Sequence, residues 1–80
     1  MTEVHLTNTS SGDHCVVLDI APEPPELRSR LYALGIIPGS ALEILRFAPL
    51  GDPIQVKVRG TLISIRKADA EIIKVEIRKP

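Results

Sequence analysis

Proline and glycine punctuation limits this chain more than any other feature. Its seven prolines and five glycines, all but Pro80 between residues 12 and 60, leave only short apolar runs between breakers. No run approaches the roughly 20 residues needed to cross a bilayer. Most of the runs alternate apolar and polar residues, the pattern of half-buried strands. His14 to Ile20 reads as a strand with Cys15 and Val17 on one face and Val16, Leu18 and Ile20 on the other. Apolar residues on both faces place it centrally in its sheet. Ala41 to Phe47 is a second strand. Ile54 to Val58 is a third, with Ile54, Val56 and Val58 inward and Gln55 and Lys57 outward. Leu62 to Arg66 and Lys74 to Arg78 complete five, and Lys67 to Glu71 is long enough for one helical turn.

One segment has the helical period. Leu27, Leu31 and Leu34 stand at i, i+4 and i+7, on one expected face. Pro25 suits a first turn, Glu23 and Glu26 favour the positive end of the helix dipole, and Gly35 suits the left-handed residue beyond the last turn. That assignment pairs Ile36 with Leu31 in the hydrophobic contact of a Schellman motif. A helix of about ten residues is too short to be stable alone and must dock on the sheet. Ile37-Pro38-Gly39-Ser40 carries Pro and Gly where a type II turn needs them. Thr7 to Asp13 has the composition of a loop, and His5 falls in a terminus expected to be loose. Short strands with tight connections favour a small all-β barrel or sandwich over one domain spanning residues 1–80, with its core in residues 13–77.

Composition excludes several functions. Ten basic residues balance ten acidic ones, against the clustered positive charge of a nucleic-acid binder. Tyr32 and Phe47 are the only aromatics, too few for base stacking. The amino terminus lacks the basic and apolar regions of a signal peptide, and a single cysteine can form no internal disulfide; both favour the cytoplasm. His14 and Cys15 are neighbours and point to opposite faces of a strand, so they do not share a metal. No CxxC, HExxH or glycine-rich phosphate loop is present. No catalytic residue, cofactor or metal site is expected, and Cys15 reads as a small core residue.

Charge is unevenly placed, with no Lys or Arg before Arg28. Either the acidic first third packs on the basic remainder, or a basic face meets an acidic partner. The loop Ala48-Pro49-Leu50-Gly51-Asp52-Pro53 also has two readings. Leu50 is an apolar residue at what should be a polar tip: it either contacts a partner or folds back to close the barrel. Asp52 either contacts a partner or caps backbone N–H groups in the turn.

Leu34-Gly35-Ile36-Ile37-Pro38-Gly39, then Ala48 to Pro53, then Arg59-Gly60, then Ile63-Ser64-Ile65-Arg66-Lys67-Ala68-Asp69-Ala70 occur in an order that resembles the FeoA family. This is the small cytosolic component of bacterial ferrous iron uptake. The resemblance implies an SH3-like barrel of about five strands with one short helix. It implies a non-enzymatic accessory protein, monomeric or weakly self-associating, that binds the FeoB membrane GTPase without entering the bilayer. The candidate partner-binding residues are Arg28, Arg30, Arg46, Ala48, Pro49, Leu50, Gly51, Asp52 and Pro53. Two alternatives remain. The same fold occurs as a module of iron-dependent repressors, which need a helix-turn-helix and metal ligands upstream. A GTPase-activating factor would use Arg28, Arg30 or Arg46 as an arginine finger.

Overall fold

The computed structural model describes residues 2–78; Met1 and residues 79–80, the ends of the expected 1–80 domain, lie outside them. Six antiparallel strands form one sheet: β1 (Thr2–His5), β2 (His14–Ile20), β3 (Ala41–Phe47), β4 (Ile54–Val58), β5 (Thr61–Ile65) and β6 (Ile73–Arg78). Their order across the sheet is β1-β6-β2-β3-β4-β5, so β2 is central, as its apolar faces imply. Helix α1 spans Pro25–Ala33 and α2 is the single turn Lys67–Ala70. The inward residues of β2 to β6 meet Leu27, Leu31, Ile36 and Ala70 in one core.

The sixth strand is β1, expected to be loose terminus. It pairs with β6 from Thr2 opposite Ile77 to His5 opposite Lys74. It leads into a 3-10 turn, Leu6–Asn8, that packs on α2 and β6 and buries Leu6 completely. Thr9 closes this turn, its buried Oγ1 donating to the Leu6 carbonyl at 2.7 Å. Glu3-Val4-His5-Leu6 does alternate polar and apolar, a strand signal only two apolar residues long that the polar run after it obscures.

Two bulges redirect side chains. Between Val17 and Asp19 the β2–β6 register slips by a residue. An extra residue inverts the faces beyond it, so Ile20 joins Cys15 and Val17 in the core instead of opposing them. A second slip lies between Ile44 and Arg46 on β3. Continued alternation from Leu42 and Ile44 would aim Arg46 inward. The bulge turns Arg46 to solvent and brings Phe47 against the core.

Helix α1 stops as its sequence implies. Gly35 has φ +90°, its N–H donates to the Tyr32 carbonyl, and the Ile36 N–H donates to the Leu31 carbonyl at 2.9 Å. These are the two bonds of a Schellman motif. Leu27 and Leu31 are buried, but Leu34 is exposed. Leu34 is the capping residue where the chain leaves the helix, and the motif seats Ile36 in the core in its place. Ser40 locks the connection, donating to the Gly35 carbonyl at 2.8 Å and accepting from the Ile37 N–H. A Cβ at Gly35 would meet only Val58 Cγ1 at 3.8 Å, so space is available there. The cost of Gly35→Val is therefore conformational, about 1–2 kcal/mol for a side chain held left-handed. A thermal melt should fall by several degrees, and an unchanged melt would contradict the cap.

Candidate functional site

The nine candidate residues fall on α1, the end of β3 and the loop after it, and α2 links that loop to α1. The loop of residues 48–53 leaves β3 and returns into β4, closed by the Ala48 N–H donating to the Pro53 carbonyl at 3.0 Å. Inside it the Gly51 N–H donates to the Ala48 carbonyl at 2.7 Å. Asp52 caps a backbone N–H, but in another element: its Oδ1 accepts from the Lys67 N–H at 3.0 Å, at the first residue of α2. Asp69 of α2 in turn pairs with Arg30 of α1 at 3.6 Å. The loop and the outer side of α1 thus flank the same helical turn.

The apex of the loop is Leu50. It is fully exposed, so it does not close the barrel. Its φ is +76° and Gly51 follows at +82°. A left-handed turn suits Gly or Asn, and a leucine there adds of order 1 kcal/mol of strain. The fold buries none of this side chain in return.

The arginines have different surroundings. Arg28 lies over the Tyr32 ring at 4.7 Å from its centroid and donates to the Tyr32 hydroxyl at 3.0 Å. Arg30 is engaged by Asp69. Arg46 is exposed opposite Gln55 and has no ion pair among the described residues. Little of the acidic first third pairs directly with the basic remainder. Among the described residues one ion pair joins them, Glu3 to Lys74 at 3.3 Å, while Arg30–Asp69 and Arg78–Glu76 lie within the basic part.

His14 and Cys15 point apart, His14 to solvent and Cys15 into the core. Burial, with a smaller contribution from the Asp13 carboxylate, pushes the Cys15 thiol up to about 11. It stays protonated at neutral pH and makes a poor nucleophile or metal ligand. Among the described residues no three His, Cys, Asp or Glu side chains converge on a point where a metal could sit. No helix among them is long and apolar enough to cross a membrane.

Comparison with known proteins agrees with this architecture. Residues 4–77 match the FeoA domain model. The chain is 33% identical to a FeoA-like protein from Clostridium acetobutylicum, with a TM-score of 0.90 over 100% of this chain and 93% of that one. It is 44% identical to FeoA from Chlorobium tepidum, with a TM-score of 0.82 over 92% of this chain and 70% of that one. It is 27% identical over 74 residues to an Fe(2+) transport protein A/Fe(2+) transporter FeoB fusion protein of Porphyromonas gingivalis; that match covers 92% of this chain but only 9% of the fusion. Fold alone is shared with a Stenotrophomonas maltophilia FeoA called a prokaryotic SH3 domain protein, at 22% identity and a TM-score of 0.78 over 91% and 89% of the two chains. It is likewise shared with a manganese-dependent transcriptional repressor, at 22% identity and 0.89, over 98% of this chain and 38% of that one. With the motif order, the six-stranded SH3-like sheet and a family match over nearly its whole length, this chain belongs to the FeoA family.

Proposed function

We propose that this chain is a cytoplasmic accessory protein of ferrous iron uptake that acts by binding a FeoB-like membrane GTPase rather than by catalysis. The observation that carries the reading is Leu50, a fully exposed leucine held at positive φ on a braced loop. Apolar side chains presented by short, rigid loops lose little entropy on binding and make efficient anchors. Asp52 and the closing Ala48–Pro53 hydrogen bond hold the loop before any partner arrives. Arg46, turned outward by its bulge at the end of β3, stands at the base of the loop and supplies a charged neighbour for the anchor. The fusion of the two components into one chain in Porphyromonas gingivalis supports the choice of partner.

The test is binding of the intact chain to the detergent-solubilised FeoB-like transporter of the same organism. Leu50→Asp should weaken binding by about tenfold or more, as expected for an anchor at the centre of an interface, with a melting temperature within a few degrees of the wild type. Leu50→Asn should raise the melting temperature by relieving the backbone and still lose affinity. Unchanged affinity in both variants, or no binding by the wild type, would sink the proposal.

A further inference from the structure

A second surface lies at the other end of β3 from the 48–53 loop. It is a groove of about 420 Å³ on the outer face of the sheet. One cross-strand row forms its rim: Arg78 of β6 faces His14 of β2, His14 faces Glu43 of β3, and Glu43 faces Lys57 of β4. Val16 and Ala41, opposite each other in the neighbouring row, lie along its floor, and the small Ala41 side chain leaves room there. Arg59 and Gly60, the two-residue turn between β4 and β5, complete the lining.

The charges are unbalanced. Lys57 and Arg59 make no ion pair or side-chain hydrogen bond among the described residues. Arg78 is shared with Glu76 at 3.1 Å, and Glu43 is the one acidic side chain in the lining. Arg59 is also an odd choice for its backbone. Both turn residues have positive φ, +50° at Arg59 and +80° at Gly60, as a type I′ hairpin requires. Asn or Asp is the common first residue of such a turn. An exposed arginine there strains the backbone and gains no ion pair or side-chain hydrogen bond among the described residues, which points to a use outside the fold.

We propose that this groove binds an extended, acidic peptide segment of a protein partner. Three strand spacings separate Arg78 from Lys57, about 14 Å, which about four residues of extended peptide cover. Carboxylates at the two ends of such a segment meet Arg78 at one side and Lys57 with Arg59 at the other, while a neutral or donor residue lies over Glu43. The central carboxylate sets a peptide apart from nucleic acid, because a uniformly charged phosphate backbone has no neutral position to place there. The groove does not depend on what docks at Leu50.

The test is an NMR titration of the intact chain at low salt with a blocked peptide carrying Glu at every fourth position and Ser between, about ten residues long so that it overhangs the groove at both ends. A Lys-Ser peptide and a single-stranded oligonucleotide of the same length are the comparison probes. The glutamate peptide should shift the amides of His14, Val16, Ala41, Lys57 and Arg59. Arg59→Asn should weaken it about fivefold or more while keeping or raising the melting temperature, and Glu43→Gln should tighten it. Shifts centred elsewhere, equal binding of the lysine peptide, or unchanged affinity in Arg59→Asn would overturn the proposal. So would tighter binding of the oligonucleotide at the same amides, which would make the groove a polyanion site.

Discussion

Truncation of Leu6 to alanine is expected to cost about 2–5 kcal/mol, the range for removing a large aliphatic side chain from a closed core. Leu6 has no exposed surface, although it follows a strand at the very start of the chain. It sits in the 3-10 turn packed on α2 and β6, and the Thr9 hydroxyl fixes the backbone around it. The site cannot collapse easily, since Ala70, Ile73 and Val75 nearby are themselves fully buried. In a domain this small each kcal/mol moves the melting temperature by about 4–8 °C, so the drop should be at least about 8 °C. Thermal denaturation of Leu6→Ala measures it. A change of only a degree or two would mean that the amino-terminal segment is frayed in solution and that its strand contributes little.

The second large effect is alkaline destabilisation through Cys15. Its thiol is raised from 9.0 to about 11 in the folded protein, first by burial and then by Asp13. The unfolded chain releases the proton near pH 9 while the folded chain keeps it. Proton binding therefore favours the folded state, and that stability is fully present below pH 9 and is lost as pH rises through about 11. The loss should approach about 2–3 kcal/mol at the top of the window. Cys15→Ala removes this term: its stability should follow a flatter course than the wild type between pH 9 and 11. Urea midpoints across that range decide it, and parallel curves for the two proteins would refute the assignment. Cys15 should also resist alkylation at neutral pH until the protein unfolds.

Local chemistry determined a good part of this molecule. The bounds of β3 and β4 follow from alternation closed off by proline and glycine. The end of α1 follows from Gly35, because a left-handed residue with no Cβ is the cheapest way to satisfy the last carbonyls of a helix. The order of the motifs was enough to point to the family. Tertiary structure decided the rest. Leu6 and β1 gain their place from β6 and α2, which lie at the other end of the chain. Ile20 and Arg46 take their faces from bulges, and Leu34 loses its place in the core to Ile36. Asp52 and Leu50 could each be read two ways, and the position of α2 and the left-handed backbone sent one to cap Lys67 and the other to solvent. The groove residues were invisible as a group, because Arg78, His14, Glu43 and Lys57 come from four strands. Only the pairing register aligns them, and a slip of one residue in any strand would turn its member to the opposite face.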